Sequence, residues 1–165
     1  MKRLILCVLT VLLLPGCVGW PSPQSRATTL NTLILKLWVS HGSANVGQPV
    51  TIRFTVKNLA EKTVVYERNG KLVMDILIPS YGIEEENWPR WSKGKPLTPE
   101  LTRLELKPGE SRVLEMIWTP SQPDKYHDLR IAGSVWYCDY NDTCYTEVRL
   151  GVKVGLPLFG HRVLD

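Results

Sequence analysis

Residues 50–57 read VTIRFTVK, with Val50, Ile52, Phe54 and Val56 alternating with Thr51, Arg53, Thr55 and Lys57. Successive side chains of a strand point to opposite faces, so this run buries one face and wets the other. A helix would scatter the same apolar set around its cylinder. The pattern recurs. Residues 32–40 place Leu33, Leu35, Leu37 and Val39 on one face. Residues 111–118 set Leu114, Met116 and Trp118 against Val113, Glu115 and Ile117, and the first trio is the better core face. No window sustains a helical period for ten residues.

Turn chemistry punctuates these runs at 46–49, 58–62, 69–70 and 107–110, and a Pro-rich loop follows at 119–125. Further strands are expected at 63–66, 72–78 (resuming after the tight Asn69-Gly70 turn), 101–106, 128–138 and 144–154, the last two paired as a hairpin. About seven to nine short strands at intervals of roughly ten residues predict an all-β fold, an antiparallel immunoglobulin-like β-sandwich. A closed barrel is the competing architecture. Asp124-Lys125-Tyr126 resembles the corner that precedes a penultimate sandwich strand, where a tyrosine hydroxyl bonds to nearby backbone.

The start of the chain reads differently. Met1-Lys2-Arg3 is a short positive segment, residues 4–14 are apolar except for Thr10, and the run ends in LLPGC. That is too short for a permanent span and resembles a lipoprotein signal peptide over residues 1–16. The resemblance implies export, cleavage before Cys17 and lipid on Cys17. The domain would then be anchored to a bacterial cell membrane on its extracytoplasmic face, with several acyl chains supplying the anchoring that one chain cannot. Residues 17–29, rich in Pro and polar residues, read as a lipid-attached tether. Residues 30–155 form the domain and 156–165 a C-terminal tail.

The whole chain carries +4, and loss of Lys2 and Arg3 leaves +2, spread without a basic block. Nucleic acid is therefore not an expected partner. His41, His127 and His161 lack ligand spacing, and Glu84-Glu85-Glu86 lacks the alternate spacing of a calcium loop, so neither metal nor cofactor is expected. No nucleophile stands beside a base at a spacing that marks a hydrolase, so the chain is not read as an enzyme.

Cys138 and Cys144 flank Asn141-Asp142 near the tip of the last hairpin. In an exported domain such a pair forms a structural disulfide, which stabilises by roughly 2–3 kcal/mol before strain. The alternative is thiol-disulfide work. Residues 135–154 resemble part of the N-terminal immunoglobulin-like domain of periplasmic disulfide-interchange reductases. Asp139 and Asp142 would raise a neighbouring thiol pKa, against that reading.

Residues 47–135 carry an ordered set of motifs: VKN at 56–58, VMDILI at 73–78, WPRWS at 88–92, LKPGES at 106–111, then Trp118. In that order they resemble the BsuPI-type intracellular proteinase inhibitor family. The resemblance implies an immunoglobulin-like fold and inhibition of a serine proteinase. Loop 87–96 is then the expected partner-binding loop, with Trp88, Arg90, Trp91 and Lys93 as its candidate contacts and Arg90 or Lys93 entering a specificity pocket. A second reading makes the two indoles a lid on one end of the sandwich. A noncatalytic structural envelope lipoprotein is a further alternative.

Overall fold

The computed structural model describes residues 22–80, 82–123, 129–137 and 145–155. Among them are eleven strands: β1 (Gln24–Leu30), β2 (Leu33–Val39), β3 (Ser43–Asn45), β4 (Val50–Asn58), β5 (Val64–Glu67), β6 (Met74–Leu77), β7 (Arg103–Leu106), β8 (Ser111–Trp118), β9 (Arg130–Trp136), β10 (Tyr145–Gly151) and β11 (Lys153–Gly155). One helical turn, α1 (Pro99–Thr102), precedes β7. Residues 1–21, expected to hold the signal peptide and lipid site, the Asp124-Lys125-Tyr126 corner, and Cys138 and Cys144 lie outside the described residues.

One sheet has the order β1-β2-β4-β8 and a second the order β10-β9-β6, all antiparallel, and β10 lies over β1 and β2. They form a sandwich, and the described strands do not join into a closed barrel. The alternation of β2 and β4 sets the core. Register places Leu35 beside Val56, Leu37 beside Phe54 and Phe54 beside Leu114. Every apolar position of that face in β2 and β4 is buried. In β8, Leu114 is buried and Met116 and Trp118 pack partly against the core, while Val113 and Ile117 face solvent.

Facing Phe54 from the second sheet is Gly133, in the middle of β9. A Cβ on Gly133 would lie 2.3 Å from the Phe54 ring. Glycine here lets one large ring fill the gap between the sheets, a close approach that explains its place in a strand.

Three elements depart from the sequence reading. Strand β1 begins inside the stretch read as a tether, and it joins β2 through backbone pairing along its whole length. Its residues are mostly exposed, so no alternation announces it. Strands β5 and β6 do not form a hairpin across Asn69-Gly70. Instead β5 pairs with β7 and β6 with β9, so the chain changes sheets at that turn. Finally, β11 pairs in parallel with β3, each only three residues long.

Asn58 joins the end of β4 to the β7–β8 turn. It is fully buried, and its Nδ2 donates to the carbonyls of Lys62 (2.8 Å) and Leu106 (2.9 Å). Its backbone accepts from the Gly109 amide and donates to Glu110 O. Gly109 has φ +75°, which favours glycine at the turn. The separate VKN and LKPGES motifs thus meet at one buried amide.

Candidate functional site

Strand β6 is an edge of its sheet, so one side of its backbone needs partners. The tryptophan loop supplies them. Ile78 N donates to Pro89 O at 2.9 Å, Trp91 N donates to Ile76 O at 3.0 Å, and Arg90 forms an antiparallel bridge with Leu77. Proline suits this position because its carbonyl accepts while its missing N–H is not required.

A second clamp comes from Asp75, the buried carboxylate of β6. Ser92 Oγ donates to Oδ2 at 2.6 Å, Ser92 N to Oδ1 at 3.1 Å, and Ile76 N to Oδ1 at 2.9 Å. Burial pushes the Asp75 carboxyl above its ordinary value of 3.8, and these hydrogen bonds and the nearby Arg90 charge offset only part of that. The clamp joins VMDILI to WPRWS, as Asn58 joins the other motif pair.

The four candidate loop residues divide. Trp91 is half-buried and packs against the core, which supports the lid reading for that indole. Lys95 Nζ lies 3.1 Å from the Trp91 ring centroid, a cation–π contact on its outer side. Trp88 is half-buried, and its Nε1 donates to Ile83 O at 2.8 Å. Arg90 does not project freely. Its guanidinium donates to Glu85 O at 2.5 Å, and its Nε is shielded from solvent without a hydrogen-bond partner. Lys93 is exposed, on a turn where Lys93 N donates to Arg90 O (3.2 Å) and Lys95 N to Ser92 O (3.0 Å). Gly94, with φ +77°, completes that turn. Of the two candidate specificity residues, Lys93 is exposed and Arg90 is half-buried.

Beside the loop is an open cleft of about 410 Å³. The β5–β6 connection supplies Arg68 and Lys71, and Arg90 and Lys95 line the loop side. Asp75 and Ser92 line it too, as do Trp136 of β9 and Leu97. Arg68 places its guanidinium carbon 5.5 Å from the Trp136 ring centroid, a cation–π contact, and donates to Leu72 O at 2.7 Å. Sequence reasoning did not find this cleft, because its walls come from segments far apart in the chain. Among the described residues no group of three His, Cys, Asp or Glu is arranged to hold a metal ion.

Residues 37–131, more than half of the chain, match the BsuPI family of intracellular proteinase inhibitors. The chain belongs to the BsuPI family. The matched span runs from β2 to the start of β9 and contains both motif junctions, Asn58 with 106–111 and Asp75 with 88–92. No curated protein matches this BsuPI chain. Among solved structures, the crystal structure of the CARDB domain of PF1109 from Pyrococcus furiosus, in complex with di-metal ions, is similar. It has TM-score 0.44 and 18% identity, covering 83% of this chain and 97% of that one. A β-glucosidase from Listeria innocua is similar at TM-score 0.36 and 11% identity, covering 83% of this chain but only 16% of the enzyme.

Proposed function

We propose that this BsuPI-family chain is a noncatalytic proteinase-binding module, lipid-anchored through Cys17 at an extracytoplasmic membrane face, which inhibits a serine proteinase through loop 87–96. The observation that carries the reading is the double attachment of the loop to β6, through the edge strand and through Asp75, with Lys93 exposed at its tip. A loop already held in place loses little ordering entropy on association.

The turn at 92–95 shapes the mode of binding. A segment cleaved as substrate is extended, and this one is held by successive backbone hydrogen bonds as a turn. Lys93 therefore enters a cation-selective pocket as a projecting side chain and blocks it, and the 93–94 bond is not presented for cleavage.

The strand topology bears on how a lipid anchor at Cys17 would hold the domain. Strand β1 starts opposite Val39, and the chain after β10 runs directly into β11 beside β3, which follows β2. The end of β9 at Arg130 is thus near the start of β1, and Trp136 is at the other end. A tether of seven residues reaches at most about 24 Å at roughly 3.4 Å per residue. Anchored there, the domain holds its β1 start close to the lipid and turns the cleft end outward.

The test is a titration of trypsin-like and subtilisin-like proteinases with the full chain in detergent. Inhibition of the trypsin-like enzyme near stoichiometry, with the chain left intact, is the expected result. Digestion of the folded domain, or no inhibition at micromolar excess, would reject it.

A further inference from the structure

We infer that the open edge of β8 is a second binding site, which takes an extended segment of a partner protein as an added strand. That segment carries a lysine or arginine opposite Glu115 and an apolar residue two positions to either side. The inference does not rest on proteinase inhibition, because loop 87–96 is held on β6 in the other sheet.

The backbone of β8 makes the site. Strand β8 ends the order β1-β2-β4-β8, and among the described residues its only ladder partner is β4. Asn58 N donates to Glu110 O at 2.9 Å beside the first pair of that ladder, and Ser40 N donates to Thr51 O at 2.9 Å beside the β2–β4 ladder. Hydrogen-bonded and non-hydrogen-bonded pairs alternate between antiparallel strands. Val50, Ile52, Phe54 and Val56 therefore exchange bonds with Trp118, Met116, Leu114 and Arg112. The amides and carbonyls of Val113, Glu115 and Ile117 point the other way, to the open side. Near Arg112 the edge meets α1 and β7, where Arg112 Nη1 donates to Glu100 O and Arg103 O, so the open length starts at Val113. The edge of β6 is closed by its own loop, whereas this one is left as a template for a further strand.

Side chains say what that strand carries. Val113 and Ile117 are 49% and 69% exposed, and on the β4 side they stand opposite Thr55 and Thr51. Apolar residues opposite them on the open side would cover them. Between them stands Glu115. Arg53 Nε and Nη2 both donate to its Oε2, at 2.8 and 2.5 Å, and its Oε1 accepts no hydrogen bond among the described residues. A carboxylate has room for a further donor, and a cation on the open side would complete a row of alternating charge across three strands. On the inner face Met116 and Trp118 are half-buried against the core, and the alternate residues of the added strand would cover them. A second copy of β8 fits less well. The antiparallel register that sets Val113 against Ile117 of the other copy also sets Glu115 against Glu115, like charges directly opposite.

The test is fluorescence anisotropy of fluorescein-labelled Lys-Thr-Val-Thr-Lys-Thr-Ile-Thr-Lys with the full chain in detergent. Micromolar binding is expected. N-methylation of the Val, the central Lys and the Ile, whose amides would point to β8, is expected to abolish it, and N-methylation of the threonines to leave it. Ile117→Pro removes an outward amide and no bond of the β4 ladder, and Glu115→Lys reverses the central charge. Each is expected to weaken binding about tenfold or more. Lys93→Ala is expected to bind the peptide as wild type does. Circular dichroism checks that the variants keep their strands. If Ile117→Pro unfolds, Glu115→Lys alone decides, since Glu115 is exposed. Equal affinity for the peptide methylated on Val, Lys and Ile, equal affinity for a peptide with central Glu, or affinity unchanged in Glu115→Lys would overturn the inference. A chain that sediments as a dimer without peptide, and as a monomer in Ile117→Pro, would replace the partner segment with a second copy.

Discussion

Asp75→Asn removes a buried charge while keeping an acceptor for the Ser92 and Ile76 amides. The folded Asp75 holds its proton more tightly than the unfolded one, because burial raises its pKa above 3.8. Between that value and the raised folded one, the native state binds more protons than the unfolded state. Stability from this group therefore falls as pH rises through the window and is flat above it. The Asn variant lacks this loss, so its melting temperature relative to wild type is expected to climb across the window from 3.8 upward. A difference that stays flat with pH would show that Asp75 does not titrate as placed. Gly133→Ala is the other residue-scale test. Its methyl would press on Phe54, and overpacking of this kind costs about 1–3 kcal/mol. Chemical denaturation should show that loss, and Phe54→Leu in the same chain should recover part of it.

Among the elements, β2, β4 and β8 were legible because each buries one face, and burial writes a period of two into the sequence. Strand β1 was not, since backbone pairing holds it and few of its side chains are buried. The parallel β3–β11 pair was hidden by its length and its long sequence separation. The tryptophan loop was visible as a motif, but its attachment was not, because Asp75 and Ser92 are seventeen residues apart. Ser92→Ala tests that attachment. It removes the 2.6 Å hydrogen bond to a buried carboxylate, a charged acceptor, and should cost roughly 1.5–3 kcal/mol. Hydrogen exchange should show faster exchange at the Trp91 amide, with the Phe54 amide in β4 unchanged relative to global stability.

At the scale of the whole molecule, two motif junctions organise the domain. Asn58 fixes the β7–β8 turn to β4, and Asp75 fixes the loop to β6. Asn58 is buried with its side chain fully engaged, so Asn58→Ala leaves the Leu106 carbonyl without that donor and should lower global stability by about 1–3 kcal/mol in denaturant unfolding. The sandwich class was readable from alternation and turns, and the family from the order of motifs. The cleft was not readable, because it exists only where β6, β9 and two connections converge. In the proposed function, the loop held on β6 blocks a serine proteinase with Lys93. The most direct measurement is the inhibition constant of the full chain and of Lys93→Ala against a trypsin-like proteinase. A buried anchor of this kind contributes roughly 2–4 kcal/mol, so the variant should inhibit about 30-fold to 1,000-fold more weakly with its fold unchanged. Equal inhibition by both chains, or none by either, would contradict the claim.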